Sequence, residues 1–373
     1  MIYFDNAATT KPGKEALKYA EKFNDEAFFN PSALYRGGLD AKKEINSAKD
    51  SILKNLGSKA HEVIFTSCGT ESDNTAVFGA VKRGTFVTDK GEHAAIYKSF
   101  LEQKNRGNTV EFIDLEKDGR VNLNKLYAYL ENNRTDFVSI MHVNNETGAI
   151  NDVAEIAKRV KAINPKTIFH SDGVQAYGKI PFTISGDIDF YSISAHKING
   201  LKGVGALIKK RGVNLSPYLI GGGQESGYRS GTENVFGIKV FEYAGNEHYA
   251  TIKENYVRCE KLKKKIIDGL VKDLFFIVSG ENSSPYVLSV SAIGLRGEVL
   301  MHSLEAKGIY VGNGSACSAK NRYSRIIEAC GYKDKILDGV LRISLSSDST
   351  EDEVDILINE LNASAAKLKG IMK

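Results

Sequence analysis

Strand-like and helix-like segments alternate through the first two thirds of this 373-residue chain, and this alternation is the feature that most narrows its possible folds. Runs rich in β-forming residues, several of them separated by helix-like stretches, lie at 62–65, 85–88, 109–113, 137–143, 167–170, 190–193 and 205–208. Strand–helix–strand repeats predict a mostly parallel sheet with helices on both faces. Ligands of such sheets bind at the carboxyl ends of the strands, so site residues are expected just after them.

The pattern changes after a lysine-rich helix at 254–271. A strand at 286–291, a helix at 298–307 and a strand at 309–311 follow it. The last helix opens with a capping box, in which Thr350 and Glu353 satisfy each other's backbone N–H groups. Because a chain of this length suits two domains, we expect a second, smaller body after the sheet domain.

Charge and cysteine content exclude several classes of protein. Lys and Arg exceed Asp and Glu by only four, which argues against direct binding to nucleic acid. No apolar run approaches the ~20 residues that span a bilayer, and no secretory signal is present, so a cytoplasmic protein without a membrane partner is expected. The four cysteines form no CxxC pair, and no metal site is predicted.

The most informative segment is Ser-Ala-His-Lys at 194–197, at the end of a predicted strand and before a glycine-rich stretch. A lysine becomes an imine-forming nucleophile when its surroundings lower its pKa. Ser194 and His196 beside it are suited to binding a phosphate. The alternative is an ordinary surface lysine, which is the better interpretation of Lys197 considered alone.

Asp172 ends another predicted buried strand, 25 residues before Lys197. An unpaired carboxylate is costly there, so it needs a cation or a donor, and a protonated pyridine nitrogen is one such partner. The alternative is a helix N-cap, which is slightly favoured for this residue taken alone.

The segment 66–72 joins a strand to a helix through small residues, so its backbone N–H groups form an anion site or simply a capped turn. It lacks the Gly-Lys-Ser/Thr element of a Walker A loop. The glycines at 221–223 are a weak signal by themselves.

Cys317 is the only one of the four cysteines in a loop of small residues. Reactive thiols are partly exposed, whereas buried thiols are inert. Cys259 lies in a helical pattern and Cys330 at a helix end, so both are interpreted as structural. An incidental loop cysteine is the alternative for Cys317, but a functional thiol is the stronger interpretation.

Taken together, these segments resemble the cysteine desulfurases of the class V aminotransferase family, nearly from end to end. The segments that carry the resemblance lie at 5–10, 30–32, 66–72, 92–93, 144–148, 172–175, 194–197, 221–224, 229–234 and 314–317. The resemblance implies a fold-type I α/β transferase that uses pyridoxal phosphate. Its large domain, at 14–253, would hold a mostly parallel seven-stranded sheet. Residues 1–13 and 254–373 would form a smaller α+β C-terminal domain.

The resemblance also implies roles for individual residues. Lys197 would hold the pyridoxal phosphate covalently, Asp172 would pair with its pyridine nitrogen, and His93 would stack on the ring and move protons. Gln175 and Asn145 would bond its phenolic oxygen. The implied phosphate ligands are Gly69, Thr70, Ser194 and His196, with Thr232 contributed by the other subunit of a homodimer.

Substrate and product follow from the same resemblance. Arg342, together with Asn145, would bind the carboxylate of L-cysteine, and the Cys317 thiolate would take its sulfur as a persulfide. L-Alanine would leave, and the sulfur would pass to an acceptor protein for iron–sulfur cluster assembly, tRNA thiolation or thiamine synthesis. A selenocysteine lyase and a non-catalytic sulfur-transfer scaffold of the same fold are the alternatives.

Two departures from the family pattern stand out. Cys68 occupies a position where the family usually has Gly, and a packed structural thiol is favoured over a second nucleophile. After Arg342, the residues at 346–348 are Ser-Ser-Asp rather than the usual Gly-Arg-aromatic run, which affects the pocket entrance and not the carboxylate anchor.

Overall fold

The computed structural model of the chain describes residues 1–313 and 323–371. Its strands, in chain order, are β1 Ile2–Phe4, β2 His61–Thr66, β3 Thr85–Asp89, β4 Thr109–Ile113, β5 Phe137–Ser139, β6 Ile168–Asp172, β7 Phe190–Ser194, β8 Gly205–Lys210, β9 Phe275–Ile277, β10 Val287–Ala292, β11 Ile309–Val311 and β12 Val340–Ser344. Its α-helices are α1 Lys14–Ala20, α2 Lys22–Asp25, α3 Arg36–Asn55, α4 Gly69–Gly79, α5 Ala94–Asn105, α6 Leu123–Asn132, α7 Val153–Ile163, α8 Val235–Ala250, α9 Ile252–Gly269, α10 Gly297–Glu305, α11 Arg325–Ala329, α12 Asp334–Asp338 and α13 Glu351–Ile371.

Seven strands form one sheet in the order β2-β8-β7-β6-β5-β3-β4. Every neighbouring pair is parallel except the two pairs that include β8, which runs antiparallel to β2 and β7. The predicted mostly parallel sheet is therefore confirmed.

Successive residues of β7 enter different cores, because side chains alternate across a strand. Tyr191 and Ile193 belong to one apolar cluster, whereas Phe190 belongs to another. Both faces of the sheet are thus covered, and all five residues of β7 are buried. Strands that are buried on both faces are rich in apolar and β-forming residues, which is why the sequence pattern predicted β7.

A second body contains the antiparallel sheet β12-β10-β9 and the parallel pair β1-β11. Its own apolar core includes Phe4 from the first strand of the chain. The predicted capping box forms at α13, where Thr350 and Glu353 exchange backbone-to-side-chain hydrogen bonds. The boundaries 14–253 and 1–13 plus 254–373 remain a prediction, which the pairing of β1 with β11 supports.

No helix in the described part of the chain is both long and apolar enough to span a membrane.

Candidate active site

A cavity of about 380 Å³ opens at the carboxyl ends of the sheet strands. Segments that follow β2, β3, β6 and β7 line it, as expected for an open α/β sheet. Arg342 reaches it from the second body, so the cavity lies between the two cores. The predicted site residues that line it are Gly69, Thr70, His93, Asn145, Asp172, Gln175, Ser194, His196, Lys197 and Arg342.

Among the described residues, Thr232 is the predicted site residue that does not line the cavity; it is exposed on the surface outside it. Cys317 lies outside the described residues, although Asn313, four positions before it, lines the cavity.

The N-terminus of α4 points backbone N–H groups into the cavity, because the helix begins at Gly69 directly after the turn that follows β2. A Cβ atom at Gly69 would lie 2.7 Å from Val174 Cγ2, so only glycine allows this close approach. Ser194 faces the same space, and its buried Oγ has no hydrogen-bond partner among the described residues. Together these donors make a site for an anion such as a phosphate.

Asp172 ends β6 inside the cavity, and its Oδ1 accepts the Val174 backbone N–H at 2.9 Å. The next described element after β6 is strand β7 and not a helix, so the N-cap interpretation was wrong and the carboxylate closes a tight turn instead. Burial raises the pKa of Asp172 to about 6, although the Val174 N–H and Lys197 oppose the shift. A cation placed beside this carboxylate would therefore stabilise its ionised form.

Lys197 lies on the single 3₁₀ turn that follows β7, and its Nζ donates to the Ala7 and Ala8 carbonyls at 2.7 and 2.8 Å. The Gln175 side chain also donates to Ala7, at 2.9 Å. The N-terminal segment thus forms part of the cavity wall through Ala7 and Ala8. The position of these residues in the sequence, far from Gln175 and Lys197, did not predict this contact.

Lys179 is a buried residue of the site that the sequence analysis missed. Its Nζ donates to Gln175 Oε1 at 3.1 Å, which fixes the orientation of that amide. Burial, aided by Lys197 and Arg342, lowers the pKa of Lys179 to about 7. The only available signal was its spacing of four residues from Gln175.

His93 caps α5, because its Nδ1 accepts the Ala95 backbone N–H at 3.2 Å. Burial, together with the nearby charges of Lys197 and Arg325, lowers its pKa to about 4. The imidazole is therefore neutral at pH 7 and can lie against a flat ring without bringing a charge to it.

Arg342 is buried on β12, and its guanidinium is held from two sides. One terminal nitrogen donates to Asp5 Oδ1 at 2.7 Å and the other to the Asn145 carbonyl at 2.9 Å. Its Nε and the buried Asn145 Oδ1 have no partner among the described residues. A Cβ atom at Gly312 would lie 2.6 Å from Asp5 Oδ1, so this glycine makes room for the ion pair. No sequence pattern indicates that Asp5 is a partner of Arg342.

The described cysteines differ in their surroundings. Cys259 and Cys330 are buried, and burial raises the pKa values of their thiols to about 11 and about 12, so both are poor nucleophiles as predicted. Cys68 is not packed, contrary to the prediction: it is partly exposed and lines the cavity at the start of α4.

These residues fit pyridoxal phosphate. One cavity is lined by an amine, a buried carboxylate, an anion site at a helix N-terminus, and buried polar atoms that have no hydrogen-bond partner in the described part of the chain. The fold and site define an α/β enzyme of the fold-type I class. The chain belongs to the class-V aminotransferase family, whose model matches residues 2–357. Within that family its relatives are cysteine desulfurases, and its cofactor is pyridoxal phosphate.

Several curated relatives match almost the whole chain. A "Cysteine desulfurase" from Trichormus azollae is 34% identical over 380 residues, with 100% of this chain and 94% of the relative covered. A "Cysteine desulfurase IscS" from Methanosarcina thermophila is 35% identical, with 99% of this chain and 93% of the relative covered.

Solved structures agree with the fold. A "NifS-like protein" aligns with a TM-score of 0.90 at 34% identity, covering 97% of this chain and 98% of the other. The structure described as "SspA in complex with cysteine" aligns with a TM-score of 0.79 at 27% identity, covering 94% of this chain and 100% of the other.

Proposed function

We propose that this chain is a pyridoxal-phosphate-dependent cysteine desulfurase that converts L-cysteine to L-alanine and holds the sulfur as a persulfide on Cys317. The observation that carries the proposal is one cavity that combines the Lys197 amine, the Asp172 carboxylate and the Arg342 guanidinium. The relatives named cysteine desulfurase and the structural neighbour that contains cysteine support this choice of substrate.

When bound, pyridoxal phosphate supplies an aldehyde carbon that condenses with amines and a pyridine ring that withdraws electrons from the attached amino acid. Asp172 would pair with the pyridine nitrogen and keep it protonated. Ser194, His196 and the N–H groups of Gly69 and Thr70, which line the cavity, would bind the phosphate, while Gln175 and Asn145 would bond the phenolic oxygen. His93, whose lowered pKa keeps its imidazole neutral, would lie against the ring.

Lys197 and Arg342 handle the substrate. The Nε of Arg342, which has no partner within residues 1–313 and 323–371, binds the substrate carboxylate together with a neighbouring nitrogen. Asp5 and the Asn145 carbonyl hold the guanidinium in place. The Lys197 amine removes the proton from the substrate Cα and later returns a proton to the carbon skeleton.

The Cys317 thiolate then attacks the substrate sulfur. A sulfur–sulfur bond forms as the carbon–sulfur bond breaks, and the carbon fragment keeps the electron pair, gains a proton and leaves as L-alanine. Asn313, four positions before Cys317 in the sequence, lines the cavity.

Replacing Arg342 by Lys should raise KM for L-cysteine by about 10- to 100-fold with a smaller change in kcat, because one bidentate charged contact is lost. Steady-state alanine formation measures this. Arg296→Lys, at an exposed residue paired with Glu298, is the matched control and should leave KM unchanged. An unchanged KM in Arg342→Lys would show that the carboxylate binds elsewhere.

We also propose that the enzyme is a homodimer in which Thr232 completes the phosphate site of the partner. Thr232 does not line the cavity of its own chain. Several large apolar side chains are exposed, some of them close to Thr232 in the sequence. Ile220 is 89% exposed and Leu34 is 90% exposed, which favours a covering partner.

Ile220→Lys should therefore convert the dimer to a monomer and weaken cofactor binding by at least about tenfold, because one charged phosphate-site hydrogen bond is lost with the partner. Sedimentation and cofactor titration measure the two effects. Ile356→Lys, on the exposed face of α13, is the control. A monomer that binds the cofactor with unchanged affinity would contradict the shared site.

The sulfur acceptor is proposed to be a protein thiol that serves iron–sulfur cluster assembly, tRNA thiolation or thiamine synthesis. We propose a cytoplasmic location, since thiols such as Cys259 and Cys330 persist where the cell keeps them reduced.

The test of the function is alanine formation by the cofactor-loaded protein, with L-cysteine and L-selenocysteine compared as substrates. A desulfurase turns over L-cysteine through Cys317. Turnover confined to selenocysteine would favour the lyase, and a protein that stays colourless with added pyridoxal phosphate would favour the non-catalytic scaffold.

A further inference from the structure

One arginine of the second body reaches the segment that carries His93. Arg325 is the first residue of α11, a helix that packs on β12 through Ile327. One terminal nitrogen of Arg325 donates to the Lys90 carbonyl, and the other donates to the Glu92 carbonyl at 2.5 Å. A guanidinium presents its N–H groups as a rigid planar fork, so this side chain fixes both carbonyls of the segment between β3 and α5.

The same guanidinium also holds the chain on the other side of His93. Its central carbon lies 3.8 Å from the centre of the Tyr97 ring, which belongs to the first turn of α5. A guanidinium is attracted to the face of an aromatic ring, and the attraction is stronger where water is excluded. Arg325 therefore contacts the chain both before and after His93.

The residue before Arg325 attaches α11 to another part of the cavity wall. The Ser324 hydroxyl donates to the Glu146 carboxyl. Glu146 lines the cavity, as does its neighbour Asn145. The start of α11 is thus attached to the large sheet domain at two places, next to two of the predicted site residues.

Charged groups surround both Arg325 and His93. The ionisable groups that face Arg325 are Tyr97, Glu146, Asp89 and Glu92. The ionisable groups that face His93 are Lys197, Arg325, Arg342, Asp73 and Asp172. Burial, together with the three cations of this second set, lowers the pKa of His93 to about 4. A cation disfavours a protonated imidazole beside it, so the loss of Arg325 should raise this pKa.

We propose that Arg325 is a positioning residue that joins the second body to both flanks of His93 and thereby fixes the place of this imidazole at the cavity wall. Its fork and the Tyr97 ring hold the surrounding chain, while the Ala95 N–H bonds Nδ1 of the imidazole. The second body also carries Arg342, so its docking places two groups of the cavity together. The effect on catalysis rests on the proposed function, whereas the placement of His93 does not.

Two substitutions separate the charge of Arg325 from its fork. Arg325→Met removes both, whereas Arg325→Lys keeps the charge but loses the planar group that bridges two carbonyls. An NMR titration of cofactor-free, histidine-labelled protein reports the pKa of His93, and His93→Gln assigns its signal. Arg325→Met should raise this pKa by on the order of one pH unit, and Arg325→Lys should leave it low.

Arg258→Met is the matched control for this titration. Arg258 makes a fork of the same kind, because its two terminal nitrogens donate to the Ser347 and Ser349 carbonyls. These contacts join α9 to the segment before α13, so both partners belong to the second body. The substitution should loosen that body locally and leave the pKa of His93 unchanged.

Kinetics of the loaded enzyme test the catalytic consequence. Both Arg325 variants should lower kcat for alanine formation, expressed per bound cofactor, by roughly 10- to 100-fold, because a displaced His93 no longer lies correctly against the reacting ring. KM for L-cysteine should change little, since Arg342 keeps its own contacts with Asp5 and Asn145.

A raised His93 pKa in Arg325→Met alone, with a lower kcat in both Arg325 variants, supports the proposal. An unchanged His93 pKa in Arg325→Met, or an unchanged kcat in either variant, would overturn it. If Arg325→Met does not fold, the kcat of Arg325→Lys still decides. A protein that binds no cofactor would refute the proposed function alone, because the titration is read in the cofactor-free protein.

Discussion

Lys197→Ala should reduce alanine formation from L-cysteine by about 10⁴-fold or more, because the variant loses the amine that holds the cofactor and moves the Cα proton. The Ala7 and Ala8 carbonyls would lose the Lys197 amine as their hydrogen-bond donor, and with it a link between the N-terminal segment and the turn after β7. The remaining contacts of the cavity, including Asp172 and Ser194, stay in place. The variant should therefore still bind pyridoxal phosphate, but reversibly.

The measurement is alanine formation together with dialysis of the loaded variant, from which the cofactor should be lost. Lys202→Ala is the matched control: this exposed lysine lies five residues further on, and its loss should leave both properties unchanged. A Lys197→Ala enzyme that retained more than about a tenth of wild-type activity would show that another group performs the proton transfer. Lys179, buried and with its pKa lowered to about 7, is the residue to test next.

Cys317→Ser should abolish alanine formation from L-cysteine while cofactor binding persists. A hydroxyl cannot take sulfur as a persulfide, and covalent capture is the step that splits the reaction into two easier ones. The visible spectrum of the loaded variant should still change when L-cysteine is added, because the binding of the substrate carboxylate and amine does not involve Cys317.

Cys68→Ser is the matched control, since Cys68 is the described cysteine that lines the cavity. It should keep most of the wild-type activity. If Cys68→Ser lost activity and Cys317→Ser kept it, the acceptor thiol would be the one at the start of α4, and the proposed mechanism would be wrong.

Local patterns in the sequence predicted most of the sheet. Strands such as β7 are buried on both faces, so their apolar runs are visible without any knowledge of their neighbours. The residues that follow β6 and β7 line the cavity, because the ends of parallel strands meet at one edge of the sheet.

Contacts between distant parts of the chain could not be predicted in this way. Asp5 pairs with Arg342 across 337 positions, and no periodicity links the two. Cys68 was misinterpreted as packed because its exposure depends on the cavity rather than on its local pattern.

The most direct test of the central claim is a single turnover of cofactor-loaded enzyme with less than one equivalent of ³⁵S-labelled L-cysteine. We expect one L-alanine for each cysteine consumed, with the label bound to the peptide that contains Cys317 and released by a reducing thiol. Alanine formed with the label free in solution as sulfide, and none on Cys317, would contradict it.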